Sequence, residues 1–323
     1  MIRLYRRVAV RCRSINRLNM LHIALDNRMT PGQALALHEA LMATPGWRSE
    51  WTFLPTKVIA RTRQRWPQWF GAAARGPQRA YEQRRWLHKL KAMLDRSSKR
   101  LPEPFARTRL HPAVHLYSAG GDRAGKTVVL GFTGSSARLL MPASVFLQHL
   151  DAATTDLVLI RYPAGQGFSH GLAGLADGFG ATVEGLKALA RIDEYRAVVT
   201  LGTSGGGIAA LLAAMQLGAA AAMSVSGRGP DEPRWREALG TSPGAALQEQ
   251  AGRLGVAPRL FLVFGREHAA DKAAAEAMAR VIPARLVEIV DPRGKVGHNA
   301  LLPPLLRGEL RTLLESTVLE RRA

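Results

Sequence analysis

A single cysteine, Cys12, stands in 323 residues. The chain can therefore close no disulfide within itself and can build no cysteine-rich zinc site. Nowhere do about 18 apolar residues follow one another, which excludes an ordinary membrane-spanning helix. The first residues also lack the continuous apolar core of a secretory signal, because Arg3, Arg6, Arg7, Arg11 and Arg13 interrupt it. These absences make the cytoplasm the expected compartment. No His-x-x-x-His pair falls on a helical stretch and no other histidine spacing marks a metal site, so neither a metal nor another cofactor is expected. Acidic residues are scarce in the first third: residues 1–110 hold 23 Lys/Arg against 6 Asp/Glu, whereas the remainder holds 22 against 19.

What is present divides in the same way. Five of the six tryptophans (Trp47, Trp51, Trp66, Trp69, Trp86) lie in the basic third. Arginine with tryptophan suits a peripheral contact with anionic lipid head groups, where cations meet phosphate and indoles settle at the interface; nucleic acid is the weaker match. The plainer reading is a solvated helical extension whose tryptophans are packing anchors. Residues 1–25 read as a basic amphipathic helix or arm, Thr30-Pro31-Gly32 opens a short helix, and Pro77 to Leu94 form another. Pro102 and Pro104 mark a boundary. The expected organisation is a basic, mainly helical extension over 1–110 and a second domain over 111–323.

That second part has 47% apolar content behind it in the chain as a whole, enough for one large core. Strand-like runs at Val114–Tyr117, Thr127–Phe132, Leu157–Tyr162, Ala197–Leu201, Ala221–Val225, Leu260–Phe264 and Leu286–Val290 mostly alternate with helical ones. The alternation predicts an α/β fold, a mostly parallel sheet with helices on both faces. The segment from Gly229 to Gly252, with three prolines and Trp235, reads as a lid or cap insertion.

Two glycine-rich stretches compete for attention. Gly120-Gly121-Asp122-Arg123-Ala124-Gly125-Lys126-Thr127 satisfies the phosphate-loop pattern G-x-x-x-x-G-K-[ST] at every position, but that loop needs a helix to begin at the lysine. Here a β-prone run follows, and the expectation is a glycine-rich hairpin turn between neighbouring strands. The second stretch is Gly202-Thr203-Ser204-Gly205-Gly206, entered from Val198-Val199-Thr200-Leu201 and left through Ile208-Ala209-Ala210-Leu211-Leu212. Strand, tight turn with a serine, and apolar helix make a nucleophile elbow.

With the elbow the chain resembles the α/β-hydrolase fold superfamily over about residues 113–323, and three further segments carry the likeness. Val128-Val129-Leu130-Gly131-Phe132-Thr133-Gly134-Ser135-Ser136 is similar to the strand and oxyanion loop, with Leu130 where histidine is common. Asp156 to Ser169 resembles the next strand and its GxGxS loop. Gly297-His298, before a C-terminal helix, stands where the family keeps its catalytic histidine. The resemblance implies a serine hydrolase acting on an acyl substrate of ester, thioester or amide type, with Ser204 as nucleophile, His298 as base, and the NH groups of Phe132 and Gly205 as the oxyanion hole. The family's usual acid position is occupied by His268. Asp271 is therefore the expected acid, with Glu267 and then Asp231 as alternatives. Two other functions stay open: a noncatalytic hydrolase-fold protein that binds an anionic partner, and a nucleotide-binding protein using Gly120–Thr127.

Overall fold

The computed structural model describes residues 104–135, 137–162, 167–292 and 294–319. The expected helices of the basic third, and Gly165 and Gln166 of the GxGxS loop, lie outside these residues. Eight strands form one sheet: β1 (Ala106–His111), β2 (Val114–Ser118), β3 (Thr127–Phe132), β4 (Thr155–Ile160), β5 (Ala197–Thr203), β6 (Ala221–Val225), β7 (Arg259–Gly265) and β8 (Arg285–Ile289). Their spatial order is β1-β2-β4-β3-β5-β6-β7-β8. β2 runs antiparallel to both its neighbours, and all pairings from β4 to β8 are parallel.

The central strands are buried on both faces, so they read as unbroken apolar runs rather than alternating ones. Side chains still point alternately to the two sides. Val128, Leu130 and Phe132 of β3 join a core completed by α2 (Phe179–Ala190), α3 (Gly207–Leu217) and α5 (Pro243–Arg253). On the other side, a Cβ built on Gly131 would meet Leu139, Leu157 and Leu159. The remaining helices are α1 (Ala143–Leu147), α4 (Pro233–Leu239), α6 (Ala269–Ala279), α7 (Leu302–Arg307) and α8 (Leu310–Glu315). Among the described residues no helix is long and apolar enough to cross a membrane.

Three expectations need correction. The sheet takes in Ala106 to Leu110, which the composition assigned to the basic extension. Among the described residues β1 is an edge strand, with Arg107, Thr108 and Arg109 at intermediate or exposed positions, so no apolar run announces it. Secondly, Gly120–Thr127 does not turn a hairpin, because β4 lies between β2 and β3. Lys126 is buried there, its ammonium 2.9 Å from Asp156 Oδ1 and also donating to the Gly120 carbonyl. Asp156 further accepts from Ser118 Oγ and Tyr195 Oη, each at 2.9 Å. A strand follows the lysine, and its charge is already used inside the protein, which removes the phosphate-loop reading. Thirdly, the segment read as a lid belongs to the helical layer. Trp235 of α4 is buried edge-on against Phe179 at 4.9 Å, and Leu247 of α5 is fully buried in the same core.

Candidate active site

Parallel α/β sheets offer ligands the space beyond the carboxyl ends of their strands. Ser204 is the first residue past β5 and has φ +52°, a left-handed conformation that costs a residue with a Cβ about 1–3 kcal/mol. The strain is imposed from both sides by a strand and a helix that nearly touch. A Cβ on Gly202 would sit 2.0 Å from the Gly206 carbonyl oxygen, and one on Gly206 would sit 2.3 Å from that of Phe132. Only glycine permits either approach. Gly205, half-buried beside the Tyr162 ring, opens the helical segment, where first-turn NH groups have no intrahelical acceptor.

The loop after β3 is tied to the elbow. Gly134 NH donates to Thr203 Oγ1 at 3.1 Å, and the Thr203 hydroxyl donates to the Arg138 carbonyl at 3.2 Å. Gly134 approaches so closely that a Cβ there would lie 3.1 Å from Ser204 Cβ. The other end of this loop holds the histidine: Asn299 Nδ2 donates to the Leu140 carbonyl at 2.8 Å. One loop thus links the serine turn to the residue beside His298.

His298 lies in the segment beyond β8. Its Nδ1 is 2.8 Å from Asp271 Oδ2 and 3.1 Å from Oδ1. Asp271 is buried on the first turn of α6, with its carboxylate at the positive end of the helix dipole. The helix is capped by His268, whose Nδ1 accepts the Asp271 NH at 3.3 Å. The residue in the family's usual acid position therefore fixes the start of the helix that carries the acid.

The two alternative acids sit elsewhere. Glu267 is exposed and its Oε2 accepts the Val296 NH at 3.0 Å, bracing the histidine segment from outside. Asp231 is exposed and pairs with Arg236 at 2.9 Å. Phe132 is also not where the oxyanion assignment needs it. It is the last residue of β3, fully buried, in register with Ile160 on one side and Gly202 on the other. The next NH, of Thr133, goes to the Ile160 carbonyl, so ladder alternation turns the Phe132 NH toward β5 and into the sheet. Its ring is an anchor, edge-on to Phe168 at 5.4 Å.

The sequence did not point to Thr203, Asn299 or the capping role of His268. Thr203 occupies a free position of the elbow motif, and its value shows only once the β3 loop is in place. No protein-family model and no curated protein matches the chain. Among solved structures it is similar to a dienelactone hydrolase from Anabaena variabilis, at 17% identity and TM-score 0.46, covering 68% of this chain and 97% of that one. It is also similar to esterase 2 of Thermogutta terrifontis, at 15% identity and TM-score 0.45 over 68% and 97%. A third is Est1E from Butyrivibrio proteoclasticus, at 13% identity and TM-score 0.43 over 65% and 98%. The strand order with its single reversed second strand and the serine turn after β5 give this chain the α/β-hydrolase fold.

Proposed function

We propose that the protein is a serine hydrolase that cleaves an ester-type acyl bond, thioester and amide included, through an acyl-enzyme on Ser204. The observation that carries this reading is the His298–Asp271 pair. With Nδ1–H donating to a buried carboxylate, the imidazole keeps Nε2 as its free lone pair, which is the tautomer a base must have. A serine hydroxyl needs such a base at neutral pH.

In this mechanism Ser204 Oγ attacks the carbonyl carbon while its proton passes to His298 Nε2, and Asp271 stabilises the imidazolium. The oxyanion is held by the Gly205 NH and the positive end of α3. Collapse breaks the bond to the leaving group, which takes the proton from His298. Water then attacks the acyl-enzyme, gives its proton to the same nitrogen, and releases the acid as Ser204 regains its hydrogen. A fluorophosphonate probe tests the reading directly. Wild-type protein should be labelled and Ser204→Ala should not, with turnover of a small ester reduced on the order of 10³-fold or more. Equal labelling of both would remove Ser204 from the chemistry and favour a noncatalytic hydrolase-fold protein.

The charge asymmetry supports a second, separate proposal. Residues 1–110, with 23 Lys/Arg, 6 Asp/Glu and five tryptophans, meet an anionic lipid surface and bring the hydrolase unit to it.

A further inference from the structure

Two imidazoles crowd Asp271. His298 Nδ1 lies 2.8 Å from its Oδ2, and His268 Nδ1 lies 3.1 Å from the same oxygen. The two rings have centroids 5.5 Å apart and planes inclined by 50°. One ligand atom from each of the three side chains falls within 4.8 Å of the other two. The hydrolytic mechanism uses only one of these imidazoles.

The donor set, two imidazoles and one carboxylate, suits a borderline-soft divalent ion, whereas magnesium and calcium prefer all-oxygen shells. Zinc holds nitrogen and oxygen ligands at about 2.0–2.2 Å, which in a tetrahedral shell keeps them roughly 3.3 Å apart. The two contacts to the carboxylate need to open by only a few tenths of an ångström to admit it, and the two imidazoles, whose ligand atoms lie within 4.8 Å of each other, need to draw together around it. His268 Nδ1 accepts the Asp271 NH, so that nitrogen is unprotonated, and an ion bound there takes over the lone pair that now caps the helix. Exposure fits as well: the side chains of His268 and His298 are 35% and 43% exposed, which leaves an entry path and room for a water ligand, while Asp271 at 8% supplies a sheltered charge.

We propose that His268, Asp271 and His298 bind a divalent cation of the zinc type, and that the bound ion switches off the site's base. The second half rests on the serine-hydrolase reading. A metal at His298 Nδ1 forces the ring proton onto Nε2. That nitrogen then has no lone pair for the Ser204 proton, and Asp271, engaged by the ion, no longer orients the ring.

Calorimetric titration of zinc chloride into the full-length chain decides the matter when wild type is compared with His268→Asn and His268→Ser. Both replacements keep a side-chain acceptor suited to the start of α6 and remove the imidazole, and circular dichroism checks that each variant is folded. The expected result is one saturable site in the wild type that weakens at least about tenfold in either variant. Over the same zinc range wild-type hydrolysis of a small ester should fall and recover with EDTA, while the variants' rates should not respond. Absence of saturable binding to the wild type, or equal binding to all three proteins, overturns the site. Saturation of the site with no loss of hydrolysis overturns the switch. Calorimetry needs no turnover, so a chain that binds zinc through His268 yet hydrolyses nothing would overturn the hydrolase reading and leave the metal site standing.

Discussion

Asp271 does two jobs that pull in one direction. Its carboxylate orients His298, and its place on the first turn of α6 lets the helix dipole stabilise the charge that this orientation needs. Replacing it with asparagine preserves size but can hold the ring in the wrong tautomer. Asp271→Asn should therefore lower kcat by about 10³- to 10⁴-fold in a steady-state ester assay. Glu267→Gln keeps an amide oxygen for the Val296 NH, and Asp231→Asn loses only an exposed ion pair worth about 0–1 kcal/mol. Both should retain nearly full turnover, and a large loss in either would move the acid assignment. That Ser204, Asp271 and His298 each stand just beyond the end of a strand was legible in the sequence, because motif spacing reports which side chains follow which strand. Phe132 was misplaced for the complementary reason. Whether an NH faces a ladder or a cleft depends on where the strand ends, and apolar residues carry no mark of that.

At the scale of elements, the stretch from Gly120 to Thr127 shows how a motif can be complete and idle. The ammonium of Lys126 and the carboxylate of Asp156 are 3% and 1% exposed, and breaking such a pair leaves a buried charge without its partner. Lys126→Met should destabilise the protein by about 3–5 kcal/mol in urea unfolding, with no change in its response to ATP or GTP. Saturable nucleotide binding that the substitution abolishes would reverse this conclusion. Most strands were legible within one or two residues, since β3, β4 and β6 are buried on both faces and appear as solid apolar runs. Pairing was not legible. The run at Thr127–Phe132 looks the same whether its neighbour is β2 or β4, and only the assembled sheet inserts β4 between them. The segment around Trp235 likewise looked irregular in sequence, yet its aromatic and apolar side chains bury themselves against Phe179 and the core beside α3.

The whole molecule has a pH dependence that the site does not set. His115 on β2 is buried, and burial, followed by the charges of Arg161, Arg107 and Arg109, lowers its pKa from 6.5 to about 3. Below about pH 6.5 the unfolded chain takes up a proton that the folded one refuses, so stability falls as pH drops from 6.5 toward 3. His115→Gln, which cannot titrate and still offers Arg161 an acceptor, should show a shallower decline of its denaturation midpoint over that window. Parallel slopes would mean that other groups govern acid sensitivity. Every element that positions the candidate site lies between Ala106 and Glu315, within the compact unit Pro102–Ala323. A chain beginning near Leu101 should therefore fold and hydrolyse a small soluble ester while losing affinity for anionic vesicles. That affinity in the full chain should fall as salt rises, because screening shortens its reach to about 8 Å at physiological ionic strength. A full chain that ignores such vesicles at low salt would end the lipid proposal.

The two borders of the sheet have a consequence for how copies of the chain meet. β1 carries Arg107 and Arg109, and β8 at the far side opens with exposed Arg285. A border strand is a template on which another molecule can hydrogen-bond, and positive charge along it makes the approach of an identical border repulsive. Two molecules that collide β1 to β1 thus present arginine to arginine. At the β1 border fibril-like stacking is discouraged by the same residue type that lends the rest of the chain its basic character, whereas β8 carries Glu288 beside Arg285.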